Sequence, residues 1–295
     1  NEKKRKEMKI AIASGKGGTG KTLVSTNLFY SLMQQNYEVT LVDCDAEEPN
    51  ALAFFPGFRI KSSQVTQKVP VINKDLCNYC GKCHEYCNYN AIFFLRTRKT
   101  IHVMEELCHG CGACSVACDQ GAISEKDDVL GTINTYSISK NSSIIEARMK
   151  VGVYSPVSVI KAAIKTSGDS PLVILDSPPG TSCPFIQTVV QSDYVILVTE
   201  PTPFGLSDLK QSVETLKTLK KAYGVIINKA GLGNKDVYEY LQENDIPLLM
   251  EIPFDKEIAS CYSIGEIYAS NKEKWQNELT AMIKTIISNN GNSNN

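Results

Sequence analysis

The sequence has almost no charge imbalance: 31 lysines and arginines stand against 32 aspartates and glutamates. Nothing therefore indicates a broad basic surface of the kind that tracks nucleic acid. The sequence also lacks any apolar run approaching the roughly 20 residues that cross a bilayer. The apolar stretch after the basic "KKRKEMK" is only "IAIAS", stopped by Gly15 and Lys16, and is too short for a signal-peptide core. These absences predict a cytoplasmic protein without a membrane span or nucleic-acid partner. Met8, opening "MKIAIAS", is an expected natural start, with the residues before it read as either a tail or a non-native addition.

Cysteine is plentiful, yet its placement argues against a disulfide framework. A chain of 295 residues with 42% hydrophobic content can build its own core, so it does not need cross-links for stability. Eight of the eleven cysteines fall between Cys77 and Cys118, leaving Cys44, Cys183 and Cys261 scattered.

Strand-like runs "KIAIAS", "EVTLVD", "LVILD", "YVILVTE", "YGVIINK" and "IPLLMEI" alternate with amphipathic stretches. That alternation predicts a mostly parallel, doubly wound α/β sheet with helices on both faces and a ligand at the strands' carboxyl ends. The rhythm breaks between residues 63 and 128 and resumes after an expected hairpin around "GTINTYSIS". The expected organisation is residues 1–62 and 129–289 as one discontinuous domain, 63–128 as an inserted domain and 290–295 as a disordered tail. Trp275, Leu279, Met282, Ile283 and Ile286 share one helical face, expected to pack on the sheet rather than lie on a membrane.

"GKGGTGKT", Gly15 to Thr22, follows a strand and precedes a helix, the context that a phosphate-binding P-loop requires. Gly15, Gly17, Gly18, Thr19 and Gly20 let backbone N–H groups curl around phosphate oxygens, with the helix N-terminus behind them. Lys21 is expected on the β/γ-phosphates and the Thr22 hydroxyl on Mg²⁺.

Lys16 makes this loop resemble the deviant Walker-A loop of the MinD/ParA/Mrp family, whose extra lysine crosses a dimer interface to the partner's nucleotide. "VDCDAEEPN" resembles that family's switch I, which implies Asp43 as the Mg²⁺-side carboxylate and Asp45 as the residue orienting the attacking water. "DSPPGTS" is similar to switch II, implying Asp176 as the Walker-B carboxylate and Gly180 as a γ-phosphate sensor. The resemblance implies an ATPase acting as a nucleotide-dependent homodimer, with Lys16, Lys21, Asp45 and Asp176 catalytic. A guanine-reading N-K-x-D motif needs a carboxylate at 231, where "NKAG" has Gly231, so ATP and ADP are the expected nucleotides. By the same resemblance Asn228, with Pro253 and Asp255 of "IPFD", is expected at adenine.

The cysteine segment repeats at an offset of 31 residues: Cys77, Cys80, Gly81, Cys83, Cys87, Ala91 and Ile92 recur as Cys108, Cys111, Gly112, Cys114, Cys118, Ala122 and Ile123. Each half reads C-x₂-C-x₂-C-x₃-C, the spacing of bacterial ferredoxins with two 4Fe-4S clusters. In that pattern the fourth cysteine serves the other cluster. Cys77, Cys80, Cys83 and Cys118 are therefore expected on one, and Cys108, Cys111, Cys114 and Cys87 on the other. The usual proline after the fourth cysteine is replaced by Asn88 and Asp119. Zinc is the competing reading. His84, His102 and His109 are not expected as ligands, because the cysteines complete both shells. Cys183 lies where the resembling nitrogenase iron protein carries one cluster-bridging cysteine, but no second cysteine lies between Cys118 and Cys183, so a buried or dimer-facing thiol is expected.

The whole chain resembles MinD-type P-loop ATPases with an inserted ferredoxin domain. The leading expectation is an ATP-hydrolysing redox protein whose nucleotide state controls electron transfer to an unidentified redox or metallocofactor-assembly partner. An Mrp-like iron-sulfur or metallocofactor carrier, and a ParA-like positioning ATPase with redox-sensing clusters, stand beside it.

Overall fold

The computed structural model describes residues 7–292, with side chains through 289. Its strands are β1 (Met8–Ala13), β2 (Val39–Asp43), β3 (Phe58–Ile72), β4 (Ile92–Leu95), β5 (Thr100–Val103), β6 (Ile123–Ser139), β7 (Ser142–Met149), β8 (Leu172–Asp176), β9 (Tyr194–Thr199), β10 (Ala222–Ala230) and β11 (Leu248–Pro253). Its α-helices are α1 (Lys21–Gln34), α2 (Lys82–Glu85), α3 (Ala113–Val116), α4 (Val157–Thr166), α5 (Cys183–Val190), α6 (Pro203–Thr218), α7 (Asp236–Glu243), α8 (Lys256–Ser263) and α9 (Glu273–Asn292).

Nine strands form one sheet in the order β11-β10-β9-β1-β8-β2-β7-β6-β3. It is parallel from β11 to β7, and β6 and β3 close that edge antiparallel. The central strands are apolar throughout because both faces are covered. Along β1, Ile10 and Ile12 join one hydrophobic cluster while Ala11 and Ala13 join the other. Leu28, Phe29 and Leu32 of α1 pack with Leu279, Ile283 and Ile286 of α9 in the first cluster. Ile160 and Ile164 of α4, Phe185 of α5, Val213 of α6 and Leu241 of α7 fill the second. The expected apolar face of α9 is thus buried against the protein. α9 itself reaches Asn292, into the segment expected to be a disordered tail, because adding a residue to a formed helix is cheap once nucleated. Residues 293–295 and 1–6 lie outside the described residues.

The expected hairpin around "GTINTYSIS" is displaced. Those residues form the second half of β6, and the turn falls at Lys140 and Asn141 before β7. The expected boundaries at 63 and 128 fall inside strands, since β3 and β6 pair from Phe58↔Ser137 to Ile72↔Ile123. The cysteine segment is therefore the far end of a two-stranded ribbon rooted in the main sheet.

Within that lobe the sequence repeat is also a backbone repeat. Ile72↔Ile123 and Val103↔Ile92 are equivalent pairings 31 residues apart. Tyr79 and Gly110, Gly81 and Gly112, and Asn90 and Gly121 all take positive φ at matching positions. Cys83, Ile92, Ile101 and Cys114 form its small core.

Candidate functional site

The loop from Gly15 to Gly20 joins β1 to α1 at the carboxyl edge of the sheet, with Gly20 as the helix N-cap. Gly20 sits at φ 101°, and a Cβ there would run into the Asn228 amide nitrogen, so the turn needs glycine on both counts. Lys21 is buried, and its Nζ donates to Ser14 Oγ at 3.0 Å and to the Lys16 carbonyl at 3.4 Å. Desolvation lowers its pKa, opposed by the charges of Asp176 and Asp45. The ammonium thus faces its own loop, where phosphate oxygens would replace the neutral acceptors.

Asp43 and Asp176 end neighbouring strands in register and are both buried. Asp43 accepts backbone N–H bonds from Asp45 at 3.1 Å, Asn50 at 2.8 Å and Ala51 at 2.9 Å, so its carboxylate organises the loop expected as switch I. The nearby Thr22 and Ser25 hydroxyls and the Lys21 ammonium favour the charged form of Asp176. Burial, foremost, raises the pKa of both carboxyls. Mutual proximity adds to the rise at Asp43, which Asp176 pushes further up. Asp45 is also raised, by burial first, against the stabilising charge of Lys21. Buried Thr19 Oγ1 and Asp176 Oδ1 have no hydrogen-bond partner among the described residues. Such orphaned atoms fit a loop that takes phosphate and a cation. Gly180 donates its N–H to the Ser14 carbonyl at 3.2 Å, tying the second expected switch to the phosphate loop.

Beside the loop lies an open pocket lined by Gly18, Gly20, Leu23, Asn228, Lys229, Pro253, Phe254, Asp255, Ile258, Ala259 and Tyr262. The three residues expected at adenine are all there, with structural duties of their own. Asn228 Nδ2 donates to the Thr19 carbonyl at 2.8 Å while its Oδ1 accepts the Lys229 N–H at 2.9 Å. Asp255 caps α8 by accepting the Glu257 N–H at 2.8 Å. Sequence reasoning missed Phe254, Ile258 and Tyr262. Their signal was an amphipathic helix directly after a strand end, with apolar residues turned back toward the loop.

The eight cysteines converge in two sets. Cys77, Cys80, Cys83 and Cys118 line one pocket, and Cys87, Cys108, Cys111 and Cys114 line another. Burial repeats with the sequence: Cys83 and Cys114 are buried, Cys80 and Cys111 exposed, and the other four lie between. Backbone N–H groups of Tyr79, Gly110 and Ala91 reach the sulfurs of Cys77, Cys108 and Cys87 at 3.3–3.4 Å. Burial pushes the Cys83 thiol up to about 11, helped by the neighbouring cysteines. Among the described residues no three His, Cys, Asp or Glu side chains converge tightly enough to hold a single metal ion.

Of the three histidines, His109 lines the pocket of the second cysteine set. His84 bonds the Ile92 carbonyl through Nδ1 at 2.7 Å, His109 stacks on Tyr89 at 3.8 Å, and His102 is exposed. Asp119, where ferredoxins have proline, pairs with Lys82 of the other half. Cys183 is exposed rather than buried, because it opens α5 at the rim of a cleft shared with Cys108, His109, Lys150 and Tyr154. Among the described residues no helix is long and apolar enough to cross a membrane.

Residues 10–267 match the family model described as the CobQ/CobB/MinD/ParA nucleotide binding domain. The chain is 30% identical over 269 residues to an uncharacterized protein of Methanocaldococcus jannaschii, covering 88% of this chain and 91% of that one. It is 26% identical over 286 residues to a protein of Pyrococcus furiosus named iron-sulfur cluster carrier protein, covering 90% and 80% respectively. In fold it is similar to the septum site-determining protein MinD of Pyrococcus horikoshii, complexed with Mg-ADP. The TM-score is 0.57 at 21% identity, covering 95% of this chain and 96% of that one.

Proposed function

The chain belongs to the CobQ/CobB/MinD/ParA nucleotide-binding domain family, and from that premise we propose that it binds and hydrolyses Mg·ATP and lets nucleotide state control electron transfer through two 4Fe-4S clusters. In this reading residues 63–128 are an inserted ferredoxin domain and the acceptor is a cytoplasmic redox or metallocofactor-assembly protein. Lys21 and the N–H groups of Gly15 to Thr22 hold the phosphates, and Thr22 and Asp176 hold Mg²⁺ with Asp43 as the carboxylate on its switch I side. Asp43 closes switch I, Asp45 orients water, Gly180 meets the γ-phosphate, and Lys16 is supplied by the partner of a homodimer. Asn228, Pro253 and Asp255 flank adenine. ATP rather than GTP is favoured by Gly231.

The observation that carries the cluster assignment is the crossed partition of the thiols, with Cys118 completing the first set and Cys87 the second. Four thiols that line one pocket without converging on one point fit a polyatomic group better than a zinc ion, whose ligands close on one point at about 2.3 Å. Bound there, each cluster would supply one-electron chemistry. Complete four-cysteine sets suit retention.

Control by nucleotide is supported by a main-chain path. Met149 N–H donates to the Ala46 carbonyl in the switch I segment, and Lys150 N–H donates to the Leu130 carbonyl on β6. The strand bearing the cysteine lobe is thus bonded to the loop that would close on the γ-phosphate. Linkage tests it: if nucleotide shifts cluster potential, reduction shifts nucleotide affinity by the same free energy. ATP and ADP affinities of oxidised and reduced protein, with stopped-flow oxidation of the clusters, decide the matter. Equal affinities with equal rates would leave two independent modules and end the reading.

A second reading, delivery of a cluster or metallocofactor, is favoured by the Pyrococcus furiosus relative named iron-sulfur cluster carrier protein. Cluster loss to an apo-ferredoxin acceptor would support it, and retention through gel filtration with ATP would exclude it.

A further inference from the structure

The extra lysine of the phosphate loop is held by its own chain. Lys16 Nζ lies 3.7 Å from Glu200 Oε2, while Lys229 Nζ lies 2.5 Å from Glu200 Oε1. The Glu200 side chain is 13% exposed, Lys16 32% and Lys229 42%. One half-sheltered carboxylate therefore serves two cations, one closely and one loosely.

The geometry makes Glu200 a fixed post. It follows β9, its carbonyl accepts the Thr202 N–H at 2.8 Å, and a Cβ at Gly205 would strike that carbonyl. Lys229 is aimed at it by a register break in β10 and a left-handed φ of 56°. Lys229 is in turn pinned through its N–H to Asn228, which bonds Thr19 of the phosphate loop. The interactions run Thr19, Asn228, Lys229, Glu200, Lys16, and so begin and end on one loop.

We propose that Glu200 is a positioning residue that parks Lys16 in its own subunit until a nucleotide-loaded second copy draws it away. The proposal rests on the reading of Lys16 as a residue supplied across a dimer. The longer pair breaks first, and Lys229 keeps Glu200 compensated afterwards, so departure of Lys16 leaves no bare buried charge. The triphosphate and Mg²⁺ site of another copy offers Lys16 more negative charge than a carboxylate already shared. Glu200 thereby sets a threshold against dimerisation without nucleotide.

The test uses the anaerobically isolated full chain. Without nucleotide, acylation of Lys16 by an amine-reactive ester, read by mass spectrometry, should run about two- to fivefold faster in Glu200→Gln, the range a half-exposed ion pair supports. Lys274, whose side chain is 90% exposed, provides the reference. With ATP, Glu200→Gln should dimerise at an about two- to fivefold lower protein concentration by light scattering. Labelling of the buried Lys21 should stay unchanged in Glu200→Gln, a pattern that simple destabilisation does not produce. Unchanged Lys16 labelling, or a weaker dimer, overturns the proposal. If Glu200→Gln fails to fold, Glu200→Asp, which shortens the reach, should raise Lys16 labelling, and equal labelling overturns it. If wild type does not dimerise with ATP, the trans role of Lys16 fails, and labelling alone then decides whether Glu200 holds it.

Discussion

The amide of Met149 and the carbonyl of Ala46 meet at 2.9 Å, joining the end of one strand to the loop that follows another. If that loop closes on a γ-phosphate, the bond is among the first to feel it. Hydrogen exchange at Met149 and Lys150 should slow severalfold in Mg·ATP relative to Mg·ADP. Identical protection with both nucleotides would refute this route.

Anaerobically purified protein should carry about eight iron atoms, two cubanes by ligand count. Because the sets cross, Cys118→Ser should damage the cluster of the first three cysteines and Cys87→Ser that of the second three. Iron analysis and EPR of each variant should show one intact cluster. Stoichiometric zinc without iron would sink the assignment.

Lys21→Ala should abolish nucleotide binding. Lys16→Ala should keep nucleotide affinity but lose ATP-dependent dimerisation and reduce turnover by about 100-fold or more, the scale for removing one charged transition-state donor. Equilibrium binding and phosphate release on both variants measure the split. Normal dimerisation and turnover of Lys16→Ala would contradict it.

Asp43 and Asp176 have raised folded-state pKa values, chiefly from burial. Without a cation, the folded chain then holds protons that the unfolded chain releases. Their contribution to stability is present at low pH and falls as pH rises from the ordinary carboxylate range through the raised values. Mg·ADP should release protons on binding and stabilise more at about pH 8 than at about pH 6. Asp43→Asn should flatten that difference, as read by thermal melts. A stabilisation independent of pH in wild type would count against these two carboxyls as its source.

Gly81 and Gly112 occupy equivalent turns but not equivalent spaces. A Cβ at Gly81 would meet the Phe94 ring at 2.6 Å, whereas one at Gly112 would meet only Glu125 Oε1 at 3.6 Å. Both alanine variants bear about 1–2 kcal/mol of left-handed strain, and Gly81→Ala should melt at the lower temperature. Equal melting temperatures would show that Phe94 yields freely.

The phosphate loop and the strand-end carboxylates were legible because each rests on short local spacing, whereas the crossed grouping of the thiols was expected only from the ferredoxin pattern that the repeat resembles. The ribbon was not. Over much of its length β3 is exposed, including Phe58 and Ile60, so it shows no inward and outward alternation to read. Its register comes from pairing with residues such as Ser137, far along the chain. Glu200 was invisible for the same reason, since its meaning depends on Lys16 arriving from the phosphate loop and Lys229 from another strand. Tyr262 escaped because one aromatic on a short helix reads as core until the pocket is seen.

Val65 and Gly131 stand opposite each other in the ribbon, just where β6 leaves its last pairing with β7 at Met149. Chain entering and leaving the cysteine lobe therefore passes through two neighbouring backbone positions, only about 5 Å apart in such a ladder. A two-residue turn closes a gap of that size. Replacing everything beyond this point with a two-residue turn is therefore expected to leave the strands beneath in register, exchanging a long arm for a tight hairpin, and a thermal melt of the shortened chain checks it.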